Sequence, residues 1–294
     1  MTTFQSEGST AEQRFDWPMI SLFILAYAIA CGAFGIVGLI ARQAGLDSAQ
    51  TLMAMGDAYQ FEGVNLAVPY WLVYLLTRLA DFSFSIAGIV MIAVTAGRMG
   101  LRALWGRLTR FRIGWVWYVV GLLPVLLYTL ATALAGGFSS ADFSLSAIST
   151  ALFSLHAGFF VSLFLRGAMG EELGLRGFAL PRLQENNSPF RASLVIGLLW
   201  GAWHLPVLIG RDVISIVAFS LLSFGLSFLF TLMFNGSGGS LIPVLLFHAT
   251  QNWEDGFEVL FPALVGTDWE LASTLALLLI GIVAGGLVWR RSRL

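Results

Sequence analysis

Long apolar runs separated by short polar segments fill most of the 294-residue chain. A helix needs about 20 mainly apolar residues to cross a bilayer. The runs that approach or exceed this length lie at 17–41, 68–96, 113–136, 147–168, 192–209, 214–234, 241–253 and 271–289. The seventh is short for a full span, so its polar flanks should be covered by protein or lie at an interface. The pattern predicts an all-α, polytopic membrane helix bundle with about eight transmembrane helices.

Positive charge is distributed unevenly between the segments that join these helices. With a cytoplasmic N-terminus, 13 of the 16 Arg residues fall on the cytoplasmic side, while Arg42 and Arg211 fall outside and Arg78 lies within the second helix. Cytoplasmic loops retain positive charge, so both termini are expected in the cytoplasm. The first apolar run is too long for a cleavable signal peptide. The expected location is the plasma (inner) membrane.

The composition narrows the possible chemistry. Hydrophobic residues make up 57% of the chain and charged residues 11%, against roughly 25% charged in soluble domains. All 16 positive charges are Arg, which excludes Ser–Lys catalysis, Schiff-base chemistry and a P-loop lysine. One Cys excludes an internal disulfide and a Cys-based metal cluster. With a net charge of −1 and no basic tract, nucleic acid is not an expected partner.

Two adjacent carboxylates, Glu171 and Glu172, follow the fourth apolar run. Glu172 and Arg176 are spaced i, i+4, so they can pair on one helix face, while Glu171 points about 100° away. One acid is then held by Arg and the other is available as a general base. The helix is predicted to end at Leu180 because Pro181 follows. An interfacial Glu–Arg network is the structural alternative.

The fifth run begins with Ser188 and Pro189, a good N-cap and first-turn proline. Trp200 and His204 then share one face far along that helix. A single His beside an aromatic residue is more often structural than catalytic.

The seventh run carries His248 and Asn252, again spaced i, i+4 and therefore on one face. In lipid such polar groups need partners, so hydrogen bonding between helices is the competing interpretation. Together, however, the three runs can direct a Glu, two His and an Asn into the bundle interior. Such residues can activate water and stabilise an oxyanion, which indicates attack of water on a carbonyl without a covalent intermediate.

The three motifs, Glu171-Glu172-x-x-x-Arg176, Trp200-x-x-x-His204 and His248-x-x-x-Asn252, resemble the signatures of the CAAX prenyl endopeptidase and bacteriocin-processing (CPBP, Abi) family of intramembrane proteases. The resemblance covers roughly residues 145–255. Trp200 stands where the family usually has Phe, and its larger ring is expected to narrow the site.

The resemblance implies an intramembrane endopeptidase acting near the cytoplasmic leaflet. Glu171 would be the general base that activates water together with His204. His248 and Asn252 would stabilise the oxyanion. Glu172 and Arg176 would brace the site.

The resemblance leaves metal dependence open. No cofactor is favoured, because the zinc-protease motif His-Glu-x-x-His is absent. The alternative is zinc, which would use Glu171, His204 and His248 as ligands. Serine and aspartyl intramembrane proteases fit less well. Asn235-Gly236-Ser237-Gly238 lacks the first Gly of the serine motif, and Asp81 pairs better with Arg78 as a structural salt bridge.

The chain divides into a polar cytoplasmic head (1–16), transmembrane helices without a recognised motif (17–140), the protease-like core (145–255) and a final segment of loop, last helix and basic tail (256–294). The expected partners are the lipid bilayer and a peptide or membrane-anchored protein substrate; the sequence does not indicate an oligomeric state. Two other functions use the same residues: an ion-coupled transporter with Glu and His as a proton relay, and a bacteriocin-immunity protein that acts without catalysis.

Overall fold

The computed structural model describes residues 16–46, 65–134, 159–165, 167–208, 213–252 and 269–292. These residues are largely helical and contain no β-strand. The helices with defined bounds are α1 (Trp17–Gln43), α2 (Tyr70–Asp81), α3 (Ser83–Leu108), α4 (Trp115–Gly121), α5 (Leu123–Leu134), α6 (Gly167–Gly174), α7 (Leu180–Gln184), α8 (Pro189–Trp203), α9 (Leu205–Leu208), α10 (Val213–Gly236), α11 (Ile242–Gln251) and α12 (Trp269–Arg291). A short π-helix, Leu175–Ala179, joins α6 to α7. The all-α prediction is confirmed for this part of the chain.

Three of the described helices are long and apolar enough to cross a bilayer: Trp17–Gln43, Ser83–Leu108 and Ile216–Gly236. Large apolar side chains cover their outer faces; Ile24 is 64% exposed and Val94 is 75% exposed. Continuous apolar surface of this kind suits lipid rather than water. The chain is a membrane protein.

Two predicted spans are interrupted. The run 68–96 forms α2 and α3, which meet at Phe82, and α3 continues to Leu108 past a kink at Gly97, where φ is +55°. The break at Phe82 brings the carbonyl of Asp81 against Gly170 on helix α6.

The run 113–136 is divided in the same way. Its two helices, α4 and α5, are separated at Leu122. Pro124 has no N–H to continue the hydrogen-bond ladder of α4, and its ring opposes the carbonyl four residues earlier. Each of these two runs therefore forms two helices rather than one, and their predicted membrane spans stay predictions.

The prediction that Pro181 ends the helix after Arg176 is wrong. The chain widens into the π-helix and continues as α7, with Pro181 in its first turn. A proline at position 181 cannot donate to the carbonyl of Gly177 four residues before it. Arg107 of α3 supplies the missing donor, because its Nη1 lies 2.5 Å from that oxygen.

Helix α8 begins as predicted. The Ser188 hydroxyl accepts from the N–H of Arg191 at 3.3 Å, and Pro189 opens the helix. The helix ends at Trp203 rather than running through the predicted span 192–209, and His204 occupies its C-cap. The following short helix, α9, contains Pro206.

Helix α6 packs directly against α3 through glycines. A Cβ on Gly174 would collide with the carbonyl of Phe84, and a Cβ on Gly88 would lie 2.6 Å from the Cα of Gly174. Small residues of this kind let two helix backbones approach closely in a membrane protein. The hydroxyl of Ser85 also donates to the carbonyl of Met169 at 2.6 Å. These contacts fix α6, and with it the two adjacent carboxylates, against the first half of the chain.

Candidate active site

Helix α6 and the π-helix bury the predicted charged residues. Glu171 is 4% exposed, and Glu172 and Arg176 are fully buried. Ionisable groups held at this depth need partners of opposite charge or hydrogen-bond donors. Single-turn π-helices inside α-helices often occur at functional sites.

The predicted Glu172–Arg176 pair is present. Nη1 of Arg176 lies 3.0 Å from both carboxylate oxygens of Glu172. A further contact comes from α11, where Nδ1 of His248 lies 2.8 Å from Oε1 of Glu172. A carboxylate paired with Arg carries no proton, so Nδ1 of His248 must be the donor in this bond. Glu172 therefore orients the imidazole and directs Nε2 away from itself, as second-sphere carboxylates do in other sites.

Arg176 is enclosed by two aromatic rings. The centre of its guanidinium lies 4.8 Å from the ring centroids of both Trp200 and Phe230. Its Nε and Nη2 have no hydrogen-bond partner among the described residues. Cation–π attraction gains strength away from water, so the two rings compensate in part for the missing hydrogen bonds.

Glu171 receives a hydrogen bond from Trp200, whose indole N–H donates to Oε2. A Phe at position 200 could not make this bond. Sequence reasoning identified the larger ring but not the donor, although an indole N–H normally seeks an acceptor when buried. The bond restrains one oxygen of the carboxylate and leaves Oε1 facing another group of atoms.

The polar atoms that Oε1 of Glu171 faces lie beside Gly167, at the start of α6. A Cβ on Gly167 would lie 2.6 Å from Oε1 of Glu171, 3.1 Å from Nε2 of His248 and 3.1 Å from Nδ2 of Asn252. The structure thus brings together three predicted site residues around one point at the start of α6. His248 is 3% exposed and Asn252 is partly exposed, so the site opens on the Asn252 side. Gly167 was not predicted from the sequence.

The comparisons with known proteins match the part of the chain that contains these residues. Residues 153–253 match the family model of the type II CAAX prenyl endopeptidase Rce1-like proteins. This segment is similar to the CAAX endopeptidase domain. A curated relative, CAAX prenyl protease 2 of Methanococcus maripaludis, is 37% identical over 90 residues, which are 30% of this chain and 32% of that protein. The chain therefore matches about a third of the length of this relative. The family resemblance inferred from the motifs is confirmed.

In the matched segment, His204 makes its hydrogen bond with the backbone rather than with Glu171. Its Nδ1 is 2.9 Å from the carbonyl oxygen of Trp200 one turn earlier, and its ring packs against Trp203 and Phe219. No hydrogen bond joins His204 to Glu171 in the described part of the chain, and the Trp200 ring contacts both residues. The predicted role of His204 in water activation stays a prediction. His156 and Arg166 lie outside the described residues.

The zinc alternative requires Glu171, His204 and His248 to converge on one ion. Among the described residues, no group of three or more His, Cys, Asp or Glu side chains is arranged to hold a metal. Glu172 holds Nδ1 of His248 and the carbonyl of Trp200 holds Nδ1 of His204, so each ring could reach an ion only through Nε2. This arrangement does not fit a three-ligand zinc site. A metal-free mechanism stays a prediction.

Proposed function

We propose that this protein is an intramembrane endopeptidase that hydrolyses a peptide bond near the cytoplasmic face of the membrane. The observation that carries the proposal is the convergence of Glu171, His248 and Asn252 on one point beside Gly167. It occurs inside the segment that matches the CAAX endopeptidase family. The name of the related protein from Methanococcus maripaludis, CAAX prenyl protease 2, supports peptide hydrolysis as the reaction.

Glu171 acts as the general base. Its Oε1 takes a proton from water while the water oxygen forms a bond to the carbonyl carbon, and the carbonyl electrons move to oxygen. The oxyanion then re-forms the carbonyl as the C–N bond breaks, and Glu171 gives the proton to the leaving amine. No covalent enzyme intermediate forms, because water is the nucleophile. The hydrogen bond from Trp200 to Oε2 holds the carboxylate in place for both transfers.

His248 and Asn252 stabilise the oxyanion. Nδ2 of Asn252 is a donor in any state, whereas Nε2 of His248 donates only when the ring carries its second proton, because Nδ1–H is bound to Glu172. The cluster then contains two carboxylates, Glu171 and Glu172, balanced by the guanidinium of Arg176 and the imidazolium of His248. Charge balance makes such a state tolerable in a buried site.

The protein is proposed to be multi-pass, with about eight spans and both ends of the described chain on the cytoplasmic side of the plasma (inner) membrane. Asp16, which caps α1, pairs with Arg182 at 3.2 Å. Ser292, after α12, accepts from the N–H of Phe190 at 3.3 Å. These contacts support the proposal that residues 16 and 292 lie at the same end of the bundle as Arg182. The positive-inside rule expects the end that carries the Arg residues to face the cytoplasm. The substrate is a peptide or a membrane-anchored protein.

The test compares peptide termini in membranes from cells producing the wild-type protein or the Glu171→Gln variant at equal levels. Gln keeps the size and a hydrogen-bond acceptor but cannot accept the proton. We expect termini that depend on the wild-type protein, reduced in the variant on the order of 10²–10⁴-fold, the usual contribution of general acid–base catalysis.

Glu185→Gln is the matched control, since Glu185, the C-cap residue of α7, has a 59% exposed side chain and lies outside the site. It should give the wild-type set of termini. Equal termini in wild type and Glu171→Gln, with both proteins inserted, would contradict the proposed function.

A further inference from the structure

A cavity of about 440 Å³ lies where the end of α3, helix α7 and the turn after α10 meet. Its walls carry two guanidinium groups, Arg107 and Arg110, together with the amide of Gln184, the carboxylate of Glu185 and the backbone of Gly238. None of the described residues that line it belongs to the candidate active site. The cavity is large enough to take a small charged group.

The two guanidinium groups are held in place by backbone carbonyls. Nη1 of Arg107 lies 2.5 Å from the carbonyl oxygen of Gly177, and Nη1 of Arg110 lies 2.5 Å from that of Gly238. The turn after α10 also holds the backbone of Arg110, because the hydroxyl of Ser240 donates to its carbonyl at 2.9 Å. The fold therefore orders both cations before any ligand binds, which lowers the entropy cost of binding.

The positive charges on the cavity wall are not balanced by nearby carboxylates. Neither Arg107 nor Arg110 forms an ion pair among the described residues, and the hydrogen bonds of each side chain use Nη1 alone. Glu185, on the same wall, lies 3.9 Å from Nη1 of Arg182, which also pairs with Asp16. The N–H groups on Nε and Nη2 of both Arg residues are therefore left for a ligand, and charge complementarity favours an anion.

Exposed Trp side chains place the cavity at the membrane surface. Trp105 and Trp115, which flank the two Arg residues in the sequence, are both exposed. Trp is enriched at the level of the lipid headgroups. Arg102 and Arg112 are exposed in the same stretch of chain, and such charges avoid the hydrocarbon core. The anions that surround the cavity at this depth are the phosphates of lipid headgroups.

We propose that this cavity binds the phosphate group of an anionic phospholipid, through charge-assisted hydrogen bonds from Arg107 and Arg110. A guanidinium presents its N–H groups in a planar fork that matches the oxygens of a phosphate. A zwitterionic headgroup fits less well, because its own cation would lie near two positive charges. A free phosphate ion offers the same oxygens but is not concentrated at the bilayer surface. Lipid binding does not require peptide hydrolysis, so the two proposals can fail separately.

A bound headgroup also stabilises the fold. Arg107 holds the carbonyl of Gly177 in the π-helix, and Arg110 holds the turn after α10 through Gly238. A phosphate that bridges the two guanidinium groups connects these elements, and it finds both groups together only in the folded chain. A ligand that binds the folded state alone raises the unfolding temperature as its concentration rises.

The test measures thermal unfolding of the purified full chain in detergent micelles with added phosphatidylglycerol, phosphatidylcholine or inorganic phosphate. We expect phosphatidylglycerol to raise the unfolding temperature in a concentration-dependent manner, and the other two to leave it close to that of the protein alone. An equal shift with phosphatidylcholine would show general solvation by lipid, and an equal shift with inorganic phosphate would show a site for a free anion. Either result, or no shift with phosphatidylglycerol, would overturn the proposal.

Two Arg variants that remove the same charge locate the binding. Arg110→Gln should weaken the binding of phosphatidylglycerol by about tenfold or more, as expected for loss of a hydrogen bond to a charged group. Arg102→Gln changes an exposed position of α3 that does not line the cavity. It should weaken binding by no more than about twofold, because salt screens exposed charges.

Equal weakening in these two variants would show attraction to a charged surface rather than a bound site, and would overturn the proposal. If Arg110→Gln does not fold, Arg110→Lys takes its place. It keeps the charge but loses the planar fork of donors, so it should still bind phosphatidylglycerol more weakly than Arg102→Gln does.

Discussion

The buried polar side chains differ between the two halves of the described chain. Among the side chains described in 16–46 and 65–127, they are three hydroxyl groups, those of Thr77, Ser83 and Ser85. In residues 167–252 they include two carboxylates, a guanidinium and an imidazole. Hydroxyl groups satisfy their hydrogen bonds with nearby backbone or indole groups, whereas buried charges need one another. The second half carries the proposed chemistry, and the first half supports it.

The support consists of specific contacts across the two halves. Arg107 donates to the carbonyl of Gly177, Ser85 donates to the carbonyl of Met169, and Ser83 accepts from the indole N–H of Trp203. Each contact reaches an element that carries a site residue. The charged cluster consists of Glu171, Glu172, Arg176 and His248. We expect large losses of stability and of cleavage for substitutions within this cluster. Substitutions of the first-half residues that support it should cause smaller losses.

The largest effect on stability is expected for Arg176→Met. Glu172 would keep a buried charge with His248 as its remaining partner in the cluster, and breaking a buried ion pair from one side costs about 3–5 kcal/mol. Unfolding of the purified protein in detergent measures this cost, and cleavage should be lost as well.

The double variant Glu172→Leu with Arg176→Met separates stability from catalysis. Removing both charges avoids an unpaired carboxylate, so much of the stability should return. Activity should stay lost, since His248 would no longer be oriented through Nδ1. If the double variant were less stable than Arg176→Met alone, the unpaired carboxylate of Glu172 would not be the main cause of the stability lost in Arg176→Met.

A smaller effect is expected for Arg107→Met in the supporting half. The carbonyl of Gly177 would lose its donor, which Pro181 cannot replace, and a hydrogen bond to a charged group contributes about 1.5–3 kcal/mol. The loss should appear in the unfolding free energy and as a partial loss of cleavage, because the π-helix that carries Arg176 depends on this bond. Arg102→Met, an exposed position on the same helix, is the control and should match wild type.

The smallest effect is expected for Ser83→Ala. Nε1 of Trp203 lies 3.1 Å from the Ser83 hydroxyl, and loss of a neutral hydrogen bond costs about 1 kcal/mol. Cleavage should change little, because the indole N–H that contacts Glu171 belongs to Trp200. Thr95→Ala, which removes an exposed hydroxyl from α3, serves as the control. If Ser83→Ala lost as much activity as Arg176→Met, the distinction between a catalytic second half and a supporting first half would be contradicted.

Part of the site could be predicted because it depends on local helix geometry. The Glu172–Arg176 pair and the Ser188 cap of α8 follow from spacings of three or four residues within one element. Gly167 could have been found by the same rule, since it lies four residues before Glu171 and therefore under its side chain. The helix interruptions at Phe82 and Leu122 were missed, because hydropathy measures the length of an apolar run and not the continuity of its hydrogen bonds.

The sequence by itself determined the membrane class, the all-helical fold, the three motifs and the pairs on single helix faces. These follow from hydrophobicity and from the 3.6-residue helix repeat. Only the tertiary structure decided that Glu172 holds His248, that Trp200 holds Glu171 and that Arg107 replaces the donor missing at Pro181. Each of these contacts joins residues 29 to 76 positions apart, so it depends on how helices pack rather than on the spacing of residues within them.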